Sequence, residues 1–138
     1  MLVTKRARAL GAFLNSEDGE NLLQGFKRAN NILSKAEEQD GVEYSYGADE
    51  KLAQRDEEKL LFKVLKSETP IIIAALENDD FQATMEHLAK LRRPVDGFFE
   101  AVQVNTDNVV VRRNRLNLLS AIRAICLSVA DLSLIKGS

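Results

Sequence analysis

The chain has 138 residues, of which 45% are hydrophobic and 29% charged, and its formal net charge is −2. This length and composition predict one soluble globular domain spanning residues 1–138, not a disordered chain, and no apolar run approaches the ~18 residues that cross a membrane. One cysteine and one histidine exclude an internal disulfide, a metal site rich in these residues and most hydrolytic triads.

The charges are unevenly distributed along the chain. Residues 1–35 and 91–138 each carry a net charge of +3, whereas residues 36–60 carry −6 and residues 61–90 carry −2. Two basic ends that pack together would form a cationic face, which is typical of proteins that bind a polyanion. Ordinary solvated helix surface explains the same distribution, so charge alone leaves both interpretations open.

Two helices are predicted in the early part of the chain. Residues 2–14 carry apolar and basic side chains at helical spacing. The second helix is predicted over residues 21–38, with Ser16 or Asp18 as its N-cap and its end near Gly41. Its apolar stripe recurs every three or four residues, at Leu22, Phe26, Ala29, Leu33 and Ala36. An irregular stretch is expected to follow.

The middle of the chain is also predicted to be helical. Acidic side chains at residues 49–50 suit the start of a helix, and those at residues 56–58 mark a second start that could split it. Pro70 is placed to begin a further helix, because proline is favoured in the first helical turn. The three isoleucines that follow Pro70 resemble a strand, but the flanking pattern favours a helix.

The last part of the chain predicts three more helices. Residues 79–80 are expected to cap the first, which ends at residues 92–93, and Pro94 is expected to begin the second. The final helix is predicted over residues 107–135, with an apolar stripe at Leu118, Ile122, Ile125, Val129 and Leu132. Because prolines, glycines and aromatic residues are few, we predict an all-α bundle of about six or seven helices.

Arginines of the final helix are the first candidates for a functional role. Extending the apolar stripe backwards reaches Arg115, where an unpaired charge would be costly. Either Arg115 forms an ion pair, for which Asp96 is the candidate partner, or the stripe opens there onto a ligand. Arg112 and Arg123 are predicted to be exposed on one face, with Arg113 also exposed. Such a row suits phosphate contact or is simply solvated surface.

Two further groups of residues suit RNA. Lys27, Arg28 and Asn31 are predicted on the outer face of the helix over residues 21–38, where an asparagine can read a base edge while a cation holds phosphate. Tyr44 and Tyr46 lie two residues apart in the irregular stretch, and an unpaired base can stack on such a ring. Alternatively, one of these rings packs onto the bundle.

Four stretches, in order, carry a resemblance to a known family: FKRANNIL, PVDGFFEAVQV, NRLNLL and VADLS. The chain, from about Arg6 to Ile135, resembles the C-terminal region of the bacterial glycyl-tRNA synthetase beta subunit. The loop GVEYSYGADE departs from any fixed family pattern. The resemblance implies a helical anticodon-binding domain of the DALR type, cut from a longer chain.

The resemblance also implies a function. The domain would recognise the anticodon of glycine tRNA as part of a cytoplasmic glycine–tRNA ligase, without catalysing a reaction itself. It would hold no metal or cofactor, since ATP and Mg would be used elsewhere in the enzyme. Its partners would be glycine tRNA, the alpha subunit and the rest of the beta subunit, with no membrane or DNA partner. The RNA-binding candidates are Lys27, Arg28, Asn31, Tyr44, Tyr46, Arg112, Arg113, Asn114, Arg115 and Arg123.

A second hypothesis treats the chain as a protein-interaction module. The net charge of −6 over residues 36–60 repels RNA but suits a basic protein surface. In this case the domain would dock on the alpha subunit or on other beta-subunit domains.

Overall fold

A computed structural model describes residue 8 and residues 11–13, 15–44 and 47–135, with side chains up to residue 129. Over these residues the chain forms five α-helices and one 3-10 turn and contains no strand, which confirms the all-α prediction. The elements are α1 (Glu17–Asp40), the 3-10 turn (Glu50–Leu52), α2 (Asp56–Glu77), α3 (Phe81–Ala89), α4 (Arg92–Ala101) and α5 (Val109–Ile135). The helix predicted over residues 2–14 lies mostly outside the described residues, although residues 8 and 11–13 are helical.

The ends of α1 follow the local sequence. The Ser16 hydroxyl accepts a hydrogen bond from the Gly19 N–H at 3.1 Å, which caps the first turn. Gly41 ends the helix in the left-handed conformation, with φ of 67°, where a side chain would be strained. Most of the predicted apolar stripe is buried, namely Leu22, Ala29, Leu33 and Ala36.

The predicted start of a new helix at Pro70 is wrong. Pro70 lies inside α2, which runs without interruption to Glu77, and does not begin a new helix. A proline in a helix interior costs roughly 3 kcal/mol, because it removes one backbone hydrogen bond and crowds the preceding turn. Buried side chains on both sides of Pro70 share one stripe: Leu61, Leu65, Ile72 and Leu76. Each fully buried side chain contributes about 1.5–3 kcal/mol, so packing of the stripe offsets the cost.

The predicted end of a helix at residues 92–93 is also wrong. These residues open α4 and do not end α3, which stops at Ala89. Pro94 therefore lies in the first turn of α4, where its missing N–H leaves no hydrogen bond unmade. The side chain of Asn108 caps α5, because its Oδ1 accepts from the N–H groups of Val110 and Val111, each at 3.1 Å.

The core lies between α1, α2, α4 and α5. Leu118, Ile122, Ile125 and Val129 of α5 are buried, as their spacing predicted. Helix α1 packs against α4 and α5, and Gly25 of α1 lies against Val95 of α4. Among the described residues, none of the helices is both long and apolar enough to cross a membrane.

Candidate nucleic-acid interface

Two arginines of α5 are engaged by carboxylates at the end of α1. Arg112 Nη1 lies 2.8 Å from Asp40 Oδ2, and Arg123 donates to both carboxylate oxygens of Glu37 at 3.2 Å. The two arginine side chains are only 21% and 18% exposed. The prediction that they are exposed is therefore wrong, because the basic face of α5 packs against the acidic end of α1.

Tyr44 belongs to the same network. Its side chain is buried, its hydroxyl is hydrogen-bonded to the Asp40 carboxylate, and its N–H donates to Glu37 Oε2 at 3.1 Å. Burial, followed by the contact with Asp40, raises the pKa of the tyrosine hydroxyl. A buried ring offers no face to a base, so the stacking role predicted for Tyr44 is wrong and the alternative of packing onto the bundle holds. Tyr46 lies outside the described residues.

The carboxylates of this network make the stability of the domain depend on pH. The hydrogen bond from Arg123 lowers the pKa of Glu37, and those from Tyr44 and Arg112 lower the pKa of Asp40. A carboxyl group with a lowered pKa in the folded state stabilises the fold above its unfolded-state pKa. This contribution is lost as the pH falls through the folded-state pKa.

We therefore expect Arg123→Gln to lose less stability than the wild type between about pH 6 and about pH 3.5, because the pKa of Glu37 is less depressed without its largest cause, the hydrogen bond from Arg123. Urea unfolding at both pH values measures the difference. Arg113→Gln makes the same chemical change at an exposed site and should decline as the wild type does. An equal decline in all three proteins would contradict the role assigned to the Arg123–Glu37 pair.

Arg115 forms the buried ion pair that its place on the apolar stripe predicted, but with a different partner. Its Nη2 lies 2.7 Å from Glu58 Oε1, and its Nη1 donates to the Gln103 carbonyl at 2.6 Å. The proposed partner, Asp96, instead lies 3.5 Å from Arg92 Nε, one helical turn away on α4. Glu58 is the nearer acid because it projects into the core from the first turn of α2 and is fully buried.

Asn114 also has a structural contact that the sequence did not reveal. Its side chain is 3% exposed and spans the backbone of Asp49, accepting from the N–H at 2.7 Å and donating to the carbonyl at 3.1 Å. Both polar groups of the amide are therefore used to hold the segment before the 3-10 turn. Asn114 is therefore buried and hydrogen-bonded within the domain, and its amide does not face solvent.

The other candidates lie on open surface. Lys27, Arg28 and Asn31 share one exposed face of α1, as predicted, and none has an ion pair among the described residues. The Arg28 guanidinium lies 4.7 Å from the centre of the Phe99 ring on α4. Arg113 is exposed on α5, likewise without an ion pair in the described part of the chain.

A polar pocket of about 610 Å³ opens beside Arg28, between α1, residues 54–55 and the connection from α4 to α5. We call it the Arg28 pocket; its lining includes Arg28, Arg55, Phe99, Glu100, Gln103 and Arg115. The sequence analysis did not predict Arg55, Phe99, Glu100 or Gln103, because these residues approach Arg28 and Arg115 only in the folded domain. One signal was available: adjacent helical residues point about 100° apart, so Phe98 and Phe99 could not both face the core. Phe98 is buried and Phe99 is partly exposed.

Two arginines fix the wall of the Arg28 pocket. Arg55 donates to the Ala101 carbonyl from Nε at 3.3 Å and from Nη2 at 2.9 Å. Arg115 holds the Gln103 carbonyl in the same connection. The end of α4 and the segment that follows it are thus tied to residue 55 and to α5 at two points.

A profile of the DALR anticodon binding domain matches residues 22–132. The chain belongs to the DALR anticodon-binding domain family. This DALR domain is 65% identical, over 99% of its length, to the glycine–tRNA ligase beta subunit of Ruegeria sp. (strain TM1040), of which it covers 20%. It is 62% identical over 99% to that of Dinoroseobacter shibae, covering 19%, and 56% identical over 99% to that of Paracoccus denitrificans, covering 20%.

These comparisons confirm the family that the sequence resemblance named. The DALR domain spans about a fifth of the length of the curated relatives that it matches. The matched region begins in α1 and ends in α5, so it includes the exposed face of α1 and the Arg28 pocket.

Proposed function

We propose that this DALR domain binds the anticodon arm of glycine tRNA as part of the beta subunit of a cytoplasmic glycine–tRNA ligase. The observation that carries the proposal is the anticodon-binding family match, together with 65% identity to a relative named as that subunit. The domain binds tRNA while the chemistry that uses ATP and Mg takes place elsewhere in the enzyme. Its protein partners are the alpha subunit and the rest of the beta subunit.

The surface of α1 supports RNA binding by the DALR domain. Lys27 and Arg28 are exposed cations, and Asn31 lies one turn away on the same face with both a donor and an acceptor. Cations that contact phosphates position the RNA, whereas amide and guanidinium groups read base edges. Glycine codons begin with two guanines, so the anticodon ends in two cytosines. Each cytosine offers one donor and two acceptors to such groups.

The proposal is tested by titrating the chain with a glycine tRNA transcript at two salt concentrations. A control transcript has both anticodon cytosines replaced. We expect salt-dependent binding that weakens by about tenfold or more for the control transcript, because each base contact contributes about 1–3 kcal/mol. Equal binding to both transcripts would contradict anticodon recognition and leave only a surface for polyanions.

The variant Lys27→Ala distinguishes a phosphate contact that positions the RNA from a contact that recognises its bases. Lys27→Ala should weaken binding of both transcripts alike and reduce the dependence of log Kd on log salt concentration by about one, because a phosphate contact carries no sequence information. Glu38→Ala, on the same helix and also exposed, should not weaken binding.

The alternative of protein docking through the acidic middle of the chain has less support. Three of the carboxylates between residues 36 and 60 are paired within the domain, namely Glu37, Asp40 and Glu58. Their charge is therefore not offered to a basic partner. If neither transcript binds, docking on the alpha subunit becomes the better explanation, and a pull-down with that subunit in the absence of RNA tests it.

A further inference from the structure

We propose that the Arg28 pocket receives one unstacked cytosine and that Glu100 selects it by accepting a hydrogen bond from its amino group. The proposal rests on the proposed function, because it places one anticodon base in this pocket. It makes Glu100 a specificity-determining residue for the base.

The size and the polar lining of the pocket suit a nucleobase. Its volume of 610 Å³ lies within the range of about 300–1,000 Å³ that is typical of pockets for small organic groups. Gln103 supplies an amide with a donor and an acceptor, and the guanidinium groups supply further donors. A base turned out of its stack can be bound through its Watson–Crick edge by such groups.

Arg28 and Phe99 form a stacking platform at the pocket. The Arg28 Cζ atom lies over the Phe99 ring, 4.7 Å from its centre, and Arg28 is exposed at the mouth of the pocket that it lines. Guanidinium planes and aromatic rings both stack with unpaired bases. Because no carboxylate of the described residues neutralises Arg28, its positive charge also favours the adjoining phosphate.

Arg115 fixes part of the wall of the Arg28 pocket. Its side chain is 8% exposed and lines the pocket, held by Glu58 and the Gln103 carbonyl. A wall whose groups are already held by hydrogen bonds within the domain reduces the entropy lost when a base binds.

Glu100 is the only acidic side chain that lines the pocket in the described structure. A carboxylate among arginines repels phosphate and so weakens any purely electrostatic binding of RNA. The carboxylate can favour binding only by accepting a hydrogen bond from the base. Cytosine presents an amino group at the position where uracil presents a carbonyl oxygen. The carboxylate therefore attracts cytosine and repels uracil at that point.

The test compares three RNA hairpins that carry the glycine anticodon loop. One has both anticodon cytosines, and each of the other two has one cytosine replaced by uracil. Fluorescence anisotropy measures Kd for the wild type and for Glu100→Gln. We expect the wild type to bind one uracil hairpin about tenfold more weakly, and Glu100→Gln to reduce that factor to below about two, because glutamine both accepts and donates. The preference at the other cytosine should be unchanged.

Glu38→Gln is the matched control, because it removes the same charge from an exposed glutamate of α1 that does not line the pocket. It should keep both preferences. If the wild type distinguishes the hairpins and Glu100→Gln keeps every preference, the assignment of Glu100 is overturned while the proposed function stands. If the wild type does not distinguish the hairpins, both are overturned.

The stacking platform has its own test. Arg28→Lys keeps the charge but removes the planar group, and we expect it to weaken binding of all three hairpins by about tenfold. Arg93→Lys makes the same change at an exposed arginine of α4 that does not line the pocket, and it should leave Kd unchanged to within about twofold. Equal Kd values for Arg28→Lys and the wild type would overturn the platform.

Discussion

Replacement of Arg115 by methionine is expected to lower the free energy of unfolding by about 3–5 kcal/mol. The change leaves the carboxylate of Glu58 fully buried without its counter-ion. Among the described residues the second oxygen of that carboxylate has no hydrogen-bond donor even in the wild type, so only the Arg55 N–H, 3.1 Å from the first oxygen, still donates to the charged group. Urea denaturation followed by circular dichroism measures the loss.

A second substitution separates the lost ion pair from lost packing. Glu58→Gln removes the buried charge but keeps an oxygen that accepts from the Arg55 N–H, which lies 3.1 Å away. In that background, Arg115→Met should cost at least about 1 kcal/mol less than in the wild type, since contacting residues have coupled effects. Arg113→Met, on the exposed side of the same helix, should stay within about 0.5 kcal/mol of the wild type. Equal costs in the two backgrounds would contradict the pairing.

The burial of Arg115 could be predicted from sequence, but its partner could not. Helical spacing places Arg115 on the stripe that continues through Leu118 and Ile122, and both of these are buried. The spacing of apolar residues shows which face of a helix is buried in the core, because that face is determined by residues close together in the chain. Glu58 lies 57 residues away, and only the packing of α2 on α5 selects it over other acids.

The same limit explains the errors on the surface. The basic face of α5 and the acidic end of α1 look like two free surfaces when charges are summed along the chain. In the folded domain they face each other, and Arg112 and Arg123 are neutralised by Asp40 and Glu37. The exposure of Lys27 and Arg28 on α1 was predicted correctly, because these residues lie away from the apolar stripe of their own helix. The Arg28 pocket could not be foreseen, because its walls come from four segments that are far apart in the sequence.

Pro70 shows where a local rule yields to the tertiary structure. Because proline is favoured in the first turn of a helix, a helix was predicted to begin at Pro70 and another at Pro94. Pro94 does lie in the first turn of α4. At Pro70 the preference is weaker than the packing of Ile72 and Leu76, which continue the buried stripe of α2. The cost of a proline in a helix interior, roughly 3 kcal/mol, is offset where a continuous helix buries more apolar surface.

Gly25→Ala is expected to destabilise the domain, although alanine is the better helix former. A Cβ atom at residue 25 would lie 2.7 Å from Val95 Cγ1, and Val95 is fully buried. Valine cannot rotate away easily, because its β-branched side chain has one strongly preferred rotamer in a helix. Overpacking costs about 1–3 kcal/mol and the gain in helix propensity is about 1 kcal/mol, so we expect a net loss of up to about 2 kcal/mol.

Gly97→Ala makes the same chemical change on the facing helix α4, where no described residue beyond the local helix backbone lies within 4 Å of the added Cβ. It should raise the free energy of unfolding by about 0.5–1 kcal/mol, which gives the two variants opposite signs. Val95→Ala should relieve part of the loss in Gly25→Ala. If Gly25→Ala instead stabilises the domain, α1 and α4 are not in close contact. The position of Arg28 over Phe99, one turn further along α1, would then lack its support, because that contact depends on the same approach of the two helices.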